Sequence, residues 1–313
     1  MSPGGLTDFA LRGVVYDREG RIDADAGDTP DNSPQFDNGL GTSYAAQMVP
    51  DIVVEFASGP SGCEGNPNPN KLCLPTAETD IGRYVSGFIQ TASSVLHAHP
   101  GKTVLFEPMN EPWGWASPPG TQSGNVAAAE YAAILAQLLP AARANKIPLS
   151  DIYVPATGTL KDGTSWVSDL YKAQPCLKPG STSCGPIAGW NLHPYGLPNS
   201  ATEGIKSVPG MRAGMLSGRD NLIVSEIGFC ATDVNGGKSC DQNKPDITAT
   251  SSQAATWLSE TLKEAAPMHQ AGWLRALLLW ERAGSGWAMQ NPDGSLTAQG
   301  RALDLFADSS AGR

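Results

Sequence analysis

The chain has 313 residues, 40% of them hydrophobic, and a net charge of −10 from 21 basic and 31 acidic side chains. That length suits one large α/β domain with a sizeable core, and no apolar run approaches the roughly 18 residues of a membrane span. An acidic surface repels nucleic acid and anionic membranes, so neither is expected as a partner.

The first 49 residues are the least regular part. The opening MSPGGLTDFA lacks the basic and apolar regions of a signal peptide. Phe9 to Val15 reads as strand-like, and Tyr44 to Val49 as the end of a helix. Between them, DREGRIDADAGDTPDNSPQFDNG is polar and rich in Asp, Gly and Pro, and it reads as a solvated loop. Asp23, Asp25 and Asp28 have some calcium-loop character, but Gly27 precedes Asp28, the wrong order for an EF-hand. This quarter is expected to be an atypical or truncated start.

From about residue 50, strand and helix patterns alternate. Asp51 to Phe56 is a β-branched strand. A helix follows, with Ile81, Tyr84, Val85, Phe88, Ala92, Val95 and Leu96 on one face. Thr103 to Phe106 is the next strand. Residues 125–145 form a helix in which Pro140 is expected to kink the end. Asp151 to Pro155 reads as a strand, Ser165 to Ala173 as a short helix, and Ile187 to His193 and Asn221 to Glu226 as strands. A helix over Ser252 to Ala266, a strand over Trp273 to Trp280 and a helix over Thr297 to Phe306 complete the series.

Repeated βα units with apolar strands argue for a parallel sheet buried on both faces. An open doubly wound sheet and a closed (β/α)8 TIM barrel both satisfy the pattern. No G-x-G-x-x-G follows the first strand and no P-loop occurs, so a phosphate cradle is missing and no cofactor is expected. Several strands end on reactive or polar groups: Asn110-Glu111, His193 with Tyr195, Glu226, and Trp280. Barrel active sites gather at the C-terminal ends of strands, which favours the barrel, with residues 50–307 as its recognisable part.

The six cysteines fall in three local pairs, Cys63/Cys73, Cys176/Cys184 and Cys230/Cys240. No C-x-x-C occurs and no histidine adjoins a cysteine, so loop-stapling disulfides are favoured over metal binding. Disulfides belong to an oxidising compartment, hence a secreted or extracytoplasmic location is expected.

Glu111 and Glu226 are the pair that glycoside hydrolysis needs, one to protonate the leaving oxygen and one to attack the sugar or activate water. The strings FEPMNEP and VSEIGF resemble the acid/base and nucleophile motifs of clan A glycoside hydrolases, most closely family 5, the cellulase and mannanase family. WERAGSGWAMQNPDGSLTAQGRAL is similar to that family's last strand and closing helix. The resemblance implies a retaining hydrolase of β-glucan or mannan type, acting on carbohydrate as a monomer. It implies Glu111 as acid/base, Glu226 as nucleophile, and Asn110 as partner of the sugar 2-hydroxyl. Tyr195 would orient Glu226, His193 would line the −1 subsite, and Trp280 would form its floor. The family's His after the third strand is missing here, which fits a differently built subsite or a neighbouring clan A family such as family 39.

Some residues have a plainer reading. Trp113, Trp115 and Trp287 are read either as sugar platforms or as anchors of their loops. Glu107 is expected to be structural, held by a nearby donor. No metal is expected, since the four histidines are scattered and no His-Glu-x-x-His occurs. The alternative function is a non-catalytic carbohydrate-binding barrel.

Overall fold

The computed structural model describes residues 16–23, 34–45, 47–55, 74–114, 124–156, 160–181, 183–185, 187–215, 221–280 and 285–308. Their order is β1 (Tyr16–Asp23), α1 (Pro34–Ala45), β2 (Val49–Glu55), α2 (Glu78–Ala98), β3 (Leu105–Pro108), α3 (Gly124–Ala144), β4 (Tyr153–Ala156), α4 (Leu160–Ala173), β5 (Gly189–Leu192), α5 (Val208–Met215) and β6 (Asn221–Ile227). Then come the two-residue strands β7 (Cys230–Ala231) and β8 (Thr248–Ala249), α6 (Ser251–Gln270), β9 (Leu274–Leu279) and α7 (Ala298–Asp308).

The strands β1, β2 and β3 pair in parallel, as do β4, β5, β6 and β9. A parallel bridge from Phe106 to Ile152 joins the two sheets, and β1 lies beside β9. The chain therefore has the (β/α) barrel architecture, with seven barrel strands among the described residues.

Two layers of side chains hold it. Leu105, Tyr153, Ile223, Ala276 and Leu278 form one cluster, with Val49 against it. These residues come from β2, β3, β4, β6 and β9, so they fill the barrel interior, as inward-facing layers do in such barrels. The alternate residues Phe106, Val154, Trp190, Leu222 and Val224 belong to a larger cluster with the helices. There Phe88 of α2 meets Phe106 edge to face at 6.0 Å between ring centroids. Burying one such ring contributes about 1.5–3 kcal/mol.

The expected helices and strands after residue 50 are present, most of them slightly shifted at the ends. Pro140 lies inside its helix, which runs on to Ala144. The early region requires a correction. Residues 16–23 are a strand, and the helix that ends at Ala45, near the end expected at Tyr44, begins at Pro34, where a solvated loop was expected over residues 17–39. The physical cause lies in β2, a strand with six of seven residues buried. An open edge there would leave buried backbone donors and acceptors unpaired. Pairing from Tyr16 with Val49 to Asp23 with Glu55 satisfies them despite the charged composition of β1. The strand-like Phe9–Val15 and the Cys63/Cys73 pair lie outside the described residues.

Two of the expected disulfides are formed, Cys176–Cys184 and Cys230–Cys240. The second staples the segment after β6, where β7 and β8 pair in parallel. Gly286 presses on it: a β-carbon there would lie 2.6 Å from Cys240 Sγ and 2.8 Å from Cys230 Sγ. The sequence separation is 10 residues, a loop whose closure limits the unfolded chain by about 2–3 kcal/mol. The Cys230→Ser/Cys240→Ser double variant is expected to lose about that much stability in urea unfolding. An unchanged midpoint would show that the staple constrains nothing.

Candidate active site

The site begins where β3 ends. Glu107 and Pro108 are fully buried strand residues. The chain then kinks, with Met109 at φ +68° and Glu111 at φ +47°. Side chains other than glycine rarely adopt this left-handed region, and such strain collects at functional sites. Three contacts brace the kink. Met109 N donates to Val54 O at 2.9 Å. Tyr84 Oη donates to the same carbonyl at 2.9 Å, and Tyr131 Oη donates to Pro108 O. Burial, then the neighbouring Tyr84 and the charge of Glu107, raise the Tyr131 phenol well above its ordinary range, so it keeps the proton it donates. The kink leaves Asn110 buried and turns Glu111 toward the centre, its side chain 42% exposed.

Glu226 comes from β6. Pairing of β6 with β9 slips between Val224 and Ile227, so the β6 ladder is irregular around Ser225 and Glu226. Bulges of this kind re-aim side chains beside active sites. Here Ser225 N donates to the side-chain Oδ1 of Asn191 at 3.2 Å, and Glu226 is 7% exposed.

His193, just past β5, links the two carboxylates. Its Nδ1 lies 3.0 Å from Glu111 Oε1 and 3.6 Å from Glu226 Oε2. One atom from each of Glu111, His193 and Glu226 lies within 4.8 Å of the others. Tyr195 Oη donates to Glu226 Oε2 at 3.2 Å. Trp113 sits in a 3-10 turn over Pro112–Gly114, edge-on to His193 at 6.0 Å and to Trp166 at 6.1 Å.

Tyr195 and Trp280 pack against a cluster of Cys230, Ile247 and Trp287. Trp287 is 8% exposed. Its ring meets Tyr195 edge-on at 6.2 Å, and its indole N–H donates to Ser239 O at 3.1 Å. Most of its surface is thus engaged within the protein. Trp115 lies outside the described residues.

Beneath the carboxylates lies a polar layer. Glu107 is held as expected: Asn191 Nδ2 donates to its Oε2 at 2.6 Å. His193 Nε2 lies 3.0 Å from Ser225 Oγ and 3.3 Å from Asn191 Nδ2. Neither Asn191 nor Ser225 stood out in the sequence reading. The signal was available for Asn191, because Asn191, His193 and Tyr195 alternate along one run, the spacing that places side chains on one face of a strand.

No protein-family model matches the chain, and no curated protein sequence matches it. Solved structures do. A fungal β-1,4-galactanase superposes with a TM-score of 0.64 at 13% identity, over 97% of this chain and 90% of the other. The endo-β-1,4-glucanase of Xanthomonas axonopodis pv. citri gives 0.59 at 14%, over 98% and 90%. The mannanase catalytic domain of Streptomyces sp. SirexAA-E gives 0.55 at 16%, over 98% and 82%. These neighbours are clan A glycoside hydrolases, and the chain shares their TIM-barrel fold.

Proposed function

We propose that the chain is a retaining glycoside hydrolase of β-linked polysaccharides or oligosaccharides, of β-glucan or mannan type. The observation that carries this reading is the approach of Glu111 and Glu226, whose nearest oxygens lie within 4.8 Å. Retaining enzymes hold their carboxyl groups about 5–5.5 Å apart, whereas inverting enzymes leave about 6.5–9.5 Å for a water. The mannanase and glucanase among the fold neighbours support the substrate class.

In this reading the Glu226 carboxylate attacks the anomeric carbon while Glu111 protonates the departing oxygen. The glycosidic bond breaks and a glycosyl ester of Glu226 forms. Glu111, now a carboxylate, takes a proton from water as that water attacks the ester and frees Glu226. Tyr195 holds the attacking oxygen of Glu226 in place. Asn110 bonds the sugar 2-hydroxyl, a contact that strengthens at the transition state. Trp280 supplies the floor of the −1 subsite and His193 its inner wall. Trp113 and Trp115 serve the leaving-group side. Trp287 acts at the rim, chiefly by holding Tyr195. The two disulfides support an extracytoplasmic setting.

The test is a panel of aryl β-glycosides (gluco, manno, galacto and xylo) run beside soluble β-glucan and mannan. Release of sugar with the β configuration retained is expected. Saturable binding without any release would instead mark a carbohydrate-binding barrel.

A further inference from the structure

The polar layer beneath the carboxylates has a direction. Asn191 is fully buried, and its amide orientation is set from two sides. The backbone N–H of Ser225 points at Oδ1, which must therefore be the carbonyl oxygen. The other amide atom lies 2.6 Å from the carboxylate of Glu107, which favours a donor there. An Nδ2 group carries two hydrogens. One goes to Glu107, and the other is available to His193 Nε2 at 3.3 Å. A ring nitrogen that receives an N–H presents its lone pair. The Ser225 hydroxyl, 3.0 Å away, can donate to the same nitrogen. The ring proton then resides on Nδ1, the nitrogen facing Glu111.

We propose that Asn191 is a positioning residue that fixes His193 as the uncharged tautomer with its proton on Nδ1, aimed at Glu111. The inference rests on the reading of Glu111 and Glu226 as the reacting pair only for its kinetic consequence. Among the described residues, the groups within reach of the ring nitrogens are Glu111 after β3, Ser225 and Glu226 on β6, and Asn191 on β5. Glu107 acts through Asn191, Tyr195 acts through Glu226, and Trp113 meets the ring edge-on. An imidazolium in this place would put a full positive charge beside both carboxylates. It would favour the ionised form of Glu111 throughout, when the first step needs the acid. A fixed neutral ring keeps a donor for the carboxylate of the second step without that charge.

The tautomer is measurable without any turnover. Protein labelled with ¹⁵N in the imidazole rings has four histidines to resolve, and His193→Gln identifies the relevant one. Wild-type protein at neutral pH is expected to show His193 with a protonated Nδ1 and a lone pair on Nε2. A proton on Nε2, alone or with one on Nδ1, would overturn the proposal whether or not Asn191→Ala folds. In Asn191→Ala the tautomer preference is expected to weaken, with part of the ring population carrying its proton on Nε2. On a substrate from the panel, kcat/KM is expected to fall on the order of tenfold at neutral pH, as for loss of one buried hydrogen bond, with the pH profile altered because Nδ1 no longer reliably donates to Glu111. Asn191→Ala with wild-type tautomer and wild-type pH profile would remove Asn191 from the role. If no glycoside is turned over, the reading of the carboxylates fails while the ¹⁵N result still decides the tautomer.

Discussion

Glu226→Ala is expected to lower kcat by between about 10⁴- and 10⁶-fold on every substrate, the span seen when members of a covalent-catalysis constellation are removed. The reason is specific to its placement. Glu226 is buried on the irregular part of β6, with Tyr195 Oη on one carboxylate oxygen. Water cannot occupy that position with the same reach, because attack from the protein side forms the ester that a free carboxylate alone supplies. Small anions should partly restore turnover in this variant by entering the space left by the side chain. Their attack on the anomeric carbon gives a product of inverted configuration. Activity within tenfold of wild type would remove Glu226 from the chemistry.

Glu111→Ala is expected to act differently on the two steps. With a phenol of low basicity as leaving group, protonation is hardly needed, so ester formation continues while its hydrolysis slows. Both kcat and KM should then fall together as the ester accumulates. With a sugar as leaving group, loss of the acid should cost about 10²–10⁴-fold, the usual contribution of a positioned proton donor. A uniform loss on both substrate types would point to a structural role for the residue. A structural role would act through the left-handed backbone at Glu111, which is part of a braced kink. Comparing leaving groups separates the two cases, which a single substrate does not.

Both carboxylates were legible in the sequence because each follows an apolar strand. Leu105 and Phe106 precede Asn110 and Glu111, and Leu222, Ile223 and Val224 precede Glu226. An ionisable side chain at the end of a doubly buried strand is unusual enough to signal a site. His193 and Tyr195 were read by the same logic just past β5. Asn191 was overlooked because an amide inside an apolar strand resembles a satisfied core residue. Only the structure shows that it joins Glu107, Ser225 and His193.

The fold was legible in the same uneven way. From Asp51 onward, two-sided hydrophobicity marked the strands. In β1 the letters YDREGRID carry five charged residues within eight positions, so no apolar alternation announces a strand. Its pairing is dictated by the neighbour it covers rather than by its own composition, and a neighbour in space is invisible to a local reading. The slip in β6 is likewise a property of two strands: it appears only when β6 is laid against β9. The close approach of Glu111 to Glu226 therefore depends on a kink and a ladder irregularity that no residue type proclaimed.

Covalent labelling tests Glu226 as the nucleophile without any variant. Wild-type protein is incubated with 2-deoxy-2-fluoro glycosyl fluorides of the gluco and manno series, which slow ester hydrolysis more than ester formation. Intact mass is then followed, and the labelled peptide is sequenced. One added fluoroglycosyl group per chain is expected, located on Glu226, with activity lost in proportion to labelling. A label on another residue, or hydrolysis of the panel glycosides with inversion and no label, would contradict that assignment.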